Sequence, residues 1–487
     1  METLTNKRQQ HGGHKRSLSN KRRRRSDSPP AAAGPRWLIL NSCIDDSSVA
    51  DAKTTAACCT SSGKPFSISF GIAAPPACCS LHCDWLGGGT PSDSDGKHSN
   101  SEPDDVRIIA GHDDALLIEI REIRVPSPEV RRGQPPTTTF LDHFLYEAGG
   151  GARPPSLSLL PGFYVPVQLG YRKHRDPTPQ FRYLGMTNTG ILRRGEDDLV
   201  VCQYEMTCDP PIYDTAELCM LRIGRDREWI VRRVPIVEHR EGSSELQPWR
   251  HRQRSLVADA AVPVGNRFLC WVDYGTTGFI LCDMVAEEIP KLRYVPLPPA
   301  TQHDGYCGHC PDETRAYCTL GAAGHDAVRF VGVSPPRCCL GDVPGKTSCE
   351  GSSSSFNVTT WTMTLSTEEA TTWVKDVVLD CDEIWKWRLP NYGCLPRDKH
   401  LEYPMVSSDD PDVIYFKAED DPDVICFKVE VMAIEINTRT KKLLSVVPSG
   451  TRDLLEDEES SRLITAKLRW HQSTDDGILV AFSNAAN

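Results

Sequence analysis

Four times in the second half of the chain, three short runs of β-branched and aromatic residues follow one another, with a polar turn of about five residues between the second and the third. "DLVVCQYE" (198–205) leads to "AELCMLRI", the turn "GRDRE" and "WIVRRVPIV". "NRFLCWVDY" (266–274) leads to "GFILCDM", an acidic turn and "LRYVPLP". "AVRFVGVS" (327–334) precedes "TTWTMTL", "STEEAT" and "TWVKDVVLD", and "DVICFKVE" (423–430) precedes "VMAIEIN", "TRTKK" and "LLSVVPSG". No segment of comparable strength has the i, i+3, i+4 spacing of a helix. The third run often ends in Val-Pro (Val234-Pro235, Val295-Pro296, Val447-Pro448). Proline has no N–H for a strand ladder, so it suits a strand end.

The chain is therefore expected to be all-β. "RWLILNS" (36–42) and "DVRIIAGHDDALLIEIREIRVP" (105–126) offer two further units, making about six. Six three- to four-stranded meanders would close a β-propeller-like ring, with 86–105, 300–326 and 334–355 as insertions. The alternative is two smaller antiparallel β domains divided near residues 155–195. The tandem phrase "DDPDVIYFKAE"–"DDPDVICFKVE" (409–430) bears on the last unit. Its second copy is assigned the first strand of the fourth phrase. The other copy is then a spare strand, expected to pair with its twin as a hairpin or to loop out. "DDPD" is turn chemistry, and "VIYFK" alternates as a half-buried strand does.

No run of about 18 apolar residues is present, so no membrane-spanning helix is expected. The N-terminus has no apolar leader core, which argues against secretion. Residues 1–36 hold ten Lys or Arg against Glu2 and Asp27, a net of +8. With −11 for the whole chain, the rest carries −19, a body that repels phosphate and favours basic protein partners. Residues 1–35 read as a disordered basic tail, 36–450 as the β domain, and 451–487 as an acidic tail in which "DGILVAFS" offers a closing strand. Within "HKRSLSNKRRRRSDSPP", Lys15, Arg16, Lys21, Arg22, Arg23, Arg24 and Arg25 have the composition of a nuclear localisation signal read by an acidic import receptor. The competing readings are a non-specific basic tail and an organelle transit peptide, which the missing amphipathic stripe disfavours.

In a nuclear or cytoplasmic compartment the 20 cysteines stay reduced. Cys202, Cys219, Cys270, Cys282 and Cys426 sit in apolar runs as small hydrophobes, whereas Cys58–Cys59, Cys78–Cys79 and Cys338–Cys339 read as loop residues. "HDGYCGHC" supplies His303, Cys307, His309 and Cys310, and Cys307-x2-Cys310 is a half-site for zinc. A second half at matching spacing is missing; the competing reading is a Cys-rich surface loop. "GDVPGKTS" (341–348) is one residue short of a P-loop and carries Pro344 where an N–H is needed. Neither a G-x-S-x-G nucleophile nor an H-E-x-x-H metal pair occurs. The pairs Asp197-Asp198, Asp409-Asp410 and Asp420-Asp421 read as solvated strand ends, and Trp361, Trp373, Trp385 and Trp387 as core or inter-unit packing.

Quoted along the chain, "PRWLILN", "DHFLYEAG", "PSLSLLPG", "GILRRGEDDLVV", "AELCMLR", "VPVGNRFLCWVDYGTTGFILCDM", "LRYVPLP", "TTWTM", "WVKDVVLD", "LPR" and "DDPDVICF" together resemble the plant family known as domain of unknown function 1618, expanded in grasses. The resemblance runs from about residue 35 to 447. It implies no established activity and a fold akin to the propeller domains of kelch and F-box-associated proteins. The basic head, the Cys-rich loops and the doubled phrase depart from the family pattern. These readings converge on a non-enzymatic nuclear protein-interaction or scaffold module, with the cytoplasm as the other location. Two rivals are a metal-dependent regulator or enzyme using loop 303–349, and a DNA-associated factor that makes its contacts through the head.

Overall fold

The structure, a computed structural model, describes residues 37–45, 49–86, 105–124, 138–149, 153–166, 179–206, 215–238, 258–274, 278–284, 290–298, 314–334, 356–366, 371–389, 393–394, 399–420, 428–453 and 463–468. The chain divides into two units, Met1–Gly34 and Pro35–Asn487, and every described residue lies in the second.

Strands fall into six groups along the chain. Group one is β1 (Leu38–Ile44), β2 (Asp51–Cys59), β3 (Pro65–Gly71) and β4 (Cys78–Trp85). Group two is β5 (Asp105–His112), β6 (Ala115–Arg124), β7 (Thr138–Glu147) and β8 (Ser156–Leu159); a short ribbon, β9 (Tyr164–Pro166) with β10 (Pro179–Phe181), follows. Group three is β11 (Thr189–Arg193), β12 (Leu199–Met206), β13 (Thr215–Arg222) and β14 (Ile230–Glu238). Group four is β15 (Ala260–Val264), β16 (Phe268–Asp273), β17 (Gly278–Asp283) and β18 (Lys291–Pro296). Group five is β19 (Cys318–Ala322), β20 (Ala327–Val333), β21 (Asn357–Thr364) and β22 (Val374–Asp380), and a second ribbon joins β23 (Arg388–Leu389) to β24 (Gly393–Cys394). Group six is β25 (Lys399–Val406), β26 (Val413–Asp420), β27 (Lys428–Asn437) and β28 (Lys442–Asp453), and β29 (Leu463–Ala466) comes last. Helix among the described residues is limited to two single turns, Thr314–Tyr317 and Cys381–Ile384. The all-β expectation is met.

Groups two to six are antiparallel meanders. In group one β4 runs parallel to β1, and β29 lies antiparallel on the other side of β1, with Leu38 opposite Ala466 and Asn41 opposite Leu463. Groups one and two are joined through the pair Cys43–Arg107, and groups three and four through β14 parallel to β18.

Many of the inner strands bury both faces, and period two shares their side chains between two cores. Along β16, Leu269 and Trp271 pack with group three while Phe268, Cys270 and Val272 pack with group five. Along β12, Val200, Cys202 and Tyr204 face group four while Leu199 and Val201 face group two. One apolar cluster thus lies between each pair of successive groups: one with two, two with three, three with four, four with five, five with six. A sixth, built on Trp37, Ile39, Tyr415 and Ala433, joins group six to group one. This sharing explains why runs such as "FLCWVD" are almost continuously apolar rather than alternating.

Several sequence expectations change. Cys58–Cys59 and Cys78–Cys79 are strand residues of β2 and β4, not loop residues, because Cys79 and Leu81 alternate into the first cluster. Segment 300–326 is not one insertion, since it contains the helical turn at 314–317 and β19. In the doubled phrase the first copy, not the second, supplies the strand: Val413–Ala418 pairs with Met432–Asn437 of "VMAIEIN". Tyr415, fully buried in the sixth cluster, stands where the second copy has Cys426, so the first copy fills that core better. Residues 421–427 of the second copy lie outside the described residues, and Lys428–Glu430 extend β27 against β28. The strand that pairs with β1 is Leu463–Ala466; "DGILVAFS" also lies outside the described residues.

Candidate functional site

A cavity of about 470 Å³ is lined by six strands, the first of each of groups two to six (β5, β11, β15, β19 and β25) and β29, which pairs with β1 of group one. In the sheet order β11, β15, β19 and β25 are terminal strands, β29 has β1 alone, and β5 has β6 plus the single Cys43–Arg107 pair. Each therefore turns a backbone edge away from its own sheet. Three of these lining strands are short and rich in small residues, "TGILR", "AAVPV" and "CTLGA". Neighbouring strands approach closely: a Cβ on Gly321 would stand 2.5 Å from Cβ of Val406 on β25.

Polar groups collect where the strands end. His112 ends β5 and Asp113 follows it, Gly265 and Asn266 follow β15, His325 lies beyond β19, Ser407 to Asp409 follow β25, and Lys467 follows β29; all line the cavity. Ile109 within β5, Met186 before β11, Met405 near the end of β25 and Leu463 at the start of β29 add apolar lining. Gly265 has φ +55°, and a Cβ there would meet the His325 carbonyl oxygen at 2.1 Å, so only glycine lets these two loops touch.

His112 is held in one tautomer. The Arg193 backbone N–H donates to its Nδ1 at 2.9 Å, and Nε2 stands 4.0 Å from Asp113 Oδ2. Burial pushes the imidazole below its ordinary pKa; Asp113 opposes this, while Lys467 and Arg193 reinforce it. The neutral ring then carries its proton on Nε2, as a donor. Arg193 is fixed in turn by Asp114 and Glu147, each at 2.6 Å. Thr189, 1% exposed, lines the cavity, and its Oγ1 has no hydrogen-bond partner; Ser408 Oγ is likewise unsatisfied. Ser407 Oγ accepts from the Asp409 and Asp410 N–H groups, and Asp410 Oδ1 accepts from Asp412 N, the expected turn chemistry of "DDPD".

His303, Cys307, His309 and Cys310 lie outside the described residues, as do Lys15, Arg16 and Lys21 to Arg25, Cys338–Cys339, and the 341–348 loop. Among the described residues no group of three or more His, Cys, Asp or Glu could hold a metal, and no helix is long and apolar enough to cross a membrane. The tryptophans are structural: Trp361 and Trp373 pack on Phe330, Trp373 donates to the Pro296 carbonyl of group four, and Trp385 packs edge-on against Phe356. Trp387 packs against the core shared by groups five and six. Sequence reading missed His112, Thr189 and Lys467. Only "GHDD" (111–114) carried a hint, as a polar interruption between two apolar runs.

Residues 271–415 match the family described as "Protein of unknown function (DUF1618)". The chain carries a DUF1618 region. This is the family that the quoted phrases resemble. No curated protein matches the chain. Similar solved structures include a polysaccharide lyase of a new family, PL25 ulvan lyase (11% identity, 86% of this chain and 87% of that chain, TM-score 0.28). Others are a protein of unknown function from Dyadobacter fermentans (9%, 80% and 95%, TM-score 0.28) and a hypothetical selenium-binding protein from Sulfolobus tokodaii (12%, 89% and 93%, TM-score 0.26). At these TM-scores the likenesses carry no argument about fold or function.

Proposed function

We propose that the DUF1618 protein is a six-bladed β-propeller that serves as a non-enzymatic protein-interaction module in the nucleus. The observation that carries the fold reading is the sixth apolar cluster, which returns from group six to group one. With five other clusters between successive groups, and β29 laid on β1, the six groups follow one another as blades do. Two separate β domains divided near 155–195 fit less well, because one cluster takes Ile109 and Leu117 from before that stretch and Val201 and Leu221 from after it.

The interaction reading follows from chemistry. Strands buried on both faces make a rigid frame, and such frames present loops. A body of −19 favours a basic partner and disfavours nucleic acid. The basic head supplies the import signal. Proximity labelling with the full chain and with a Lys21–Arg25 alanine variant tests this. A nuclear chain with a stable set of basic neighbours, turned cytoplasmic in the variant, is the expected result. An unchanged location with no enriched neighbours would remove both the import signal and the scaffold role.

A further inference from the structure

The cavity where the six lining strands meet has its own chemistry. Its volume of about 470 Å³ lies inside the range, roughly 300–1,000 Å³, in which proteins hold small molecules. Six strand edges converge on it, and an edge strand offers N–H donors and C=O acceptors in alternation. Whatever fills the cavity must therefore both give and take hydrogen bonds.

Charge narrows the class. Around the polar end stand the Asp113 and Asp409 carboxylates and the Lys467 ammonium, so neither sign dominates strongly enough to offset the desolvation of a charged ligand. His112 adds a neutral N–H donor in a fixed tautomer. Hydroxyl groups act as donor and acceptor at once, which matches the mixed edges better than a carboxylate, which only accepts, or an ammonium, which only donates.

We infer that this cavity is a binding site for a small, neutral, polyhydroxylated molecule, of about monosaccharide or disaccharide size, held by the strand edges and His112. The inference is independent of the partner and location of the protein, since it rests on the cavity alone.

Saturation-transfer NMR and calorimetry on the full chain, with glucose, galactose, maltose and myo-inositol as probes, test it, with glucuronate and glucosamine as charged counterparts. His112→Gln is the decisive variant, and its urea midpoint is measured beside that of the parent chain to show that the fold is kept. At least one neutral probe should bind the parent chain one-to-one, with affinity about tenfold weaker in H112Q. No transfer to any neutral probe at 10 mM (about the reach of weak sugar binding) would overturn the inference. So would binding that H112Q leaves unchanged in a folded variant, or a charged counterpart that binds more tightly than its neutral parent.

Discussion

Glu119 shows how a single carboxylate can be both buried and ionised. It is 1% exposed on β6, and its Oε1 accepts from Arg107 Nε at 2.8 Å and Nη2 at 2.6 Å on β5. His143 on β7 stands 3.3 Å from the other oxygen. Burial raises the Glu119 pKa, but the hydrogen bonds and charges of His143 and Arg107 outweigh it and hold the carboxyl below its ordinary value. A carboxylate depressed on folding contributes stability above its unfolded pKa of about 4.3 and loses it as pH falls through the folded value. Stability measured in urea should therefore decline below about pH 4, and Glu119→Gln should flatten that decline. At pH 7 the same variant should cost about 3 kcal/mol, because the Arg107 guanidinium is left without its buried partner. An acid slope identical in the variant would show that Glu119 is not its source. Asp412 is shifted the same way: burial raises it, and Arg439 and Arg329 pull it below its ordinary value.

At the scale of elements, the duplicated phrase is the informative case. Two nearly identical strands competed for one place, and what differs between them is Tyr415 against Cys426 and Ala418 against Val429. The Asp412 carboxylate that opens the chosen strand receives Arg329 of group five at 2.5 Å and also pairs with Arg439. The turn of the first copy is thereby fixed to the neighbouring group, and the extra residues are taken up between β26 and β27, at the end of the pair away from that turn. Replacing Tyr415 with the second copy's residue, Tyr415→Cys, should leave a void against Trp37 and Ile39 and cost about 3 kcal/mol by urea unfolding. A loss under about 0.5 kcal/mol would mean that the sixth cluster does not select the copy. Strand runs with long apolar stretches were legible in the sequence because each has two cores to serve. The lining strands β11, β15, β19 and β25 were not read as strands, because short segments such as "TGILR" and "CTLGA" carry too few large apolar residues for period two to stand out.

For the molecule as a whole, the first and last of the described strands meet in one sheet. β29 gives β1 its antiparallel neighbour, and Ala466 and Leu468 enter the first cluster while Leu463 packs on the sixth. A chain ending at residue 462 should expose that edge and lose roughly 4–6 kcal/mol, the equivalent of two or three large buried side chains with their ladder hydrogen bonds. Urea unfolding followed by tryptophan fluorescence reads the loss. A midpoint equal to that of the full chain would show that β29 is not part of the cooperative fold.

By itself the sequence determined the all-β class, the repeated meander and the likeness of residues 271–415 to DUF1618, because these depend on local period, turn residues and wording. It also determined the charge contrast between the head and the rest. Tertiary structure alone decided which copy of the doubled phrase becomes a strand, that Leu463–Ala466 pairs with β1, and that His112, Thr189 and Lys467 share one cavity. Those residues are separated by up to 355 positions in the chain. Their meeting depends on how six strand edges converge, a long-range property with no local pattern to announce it.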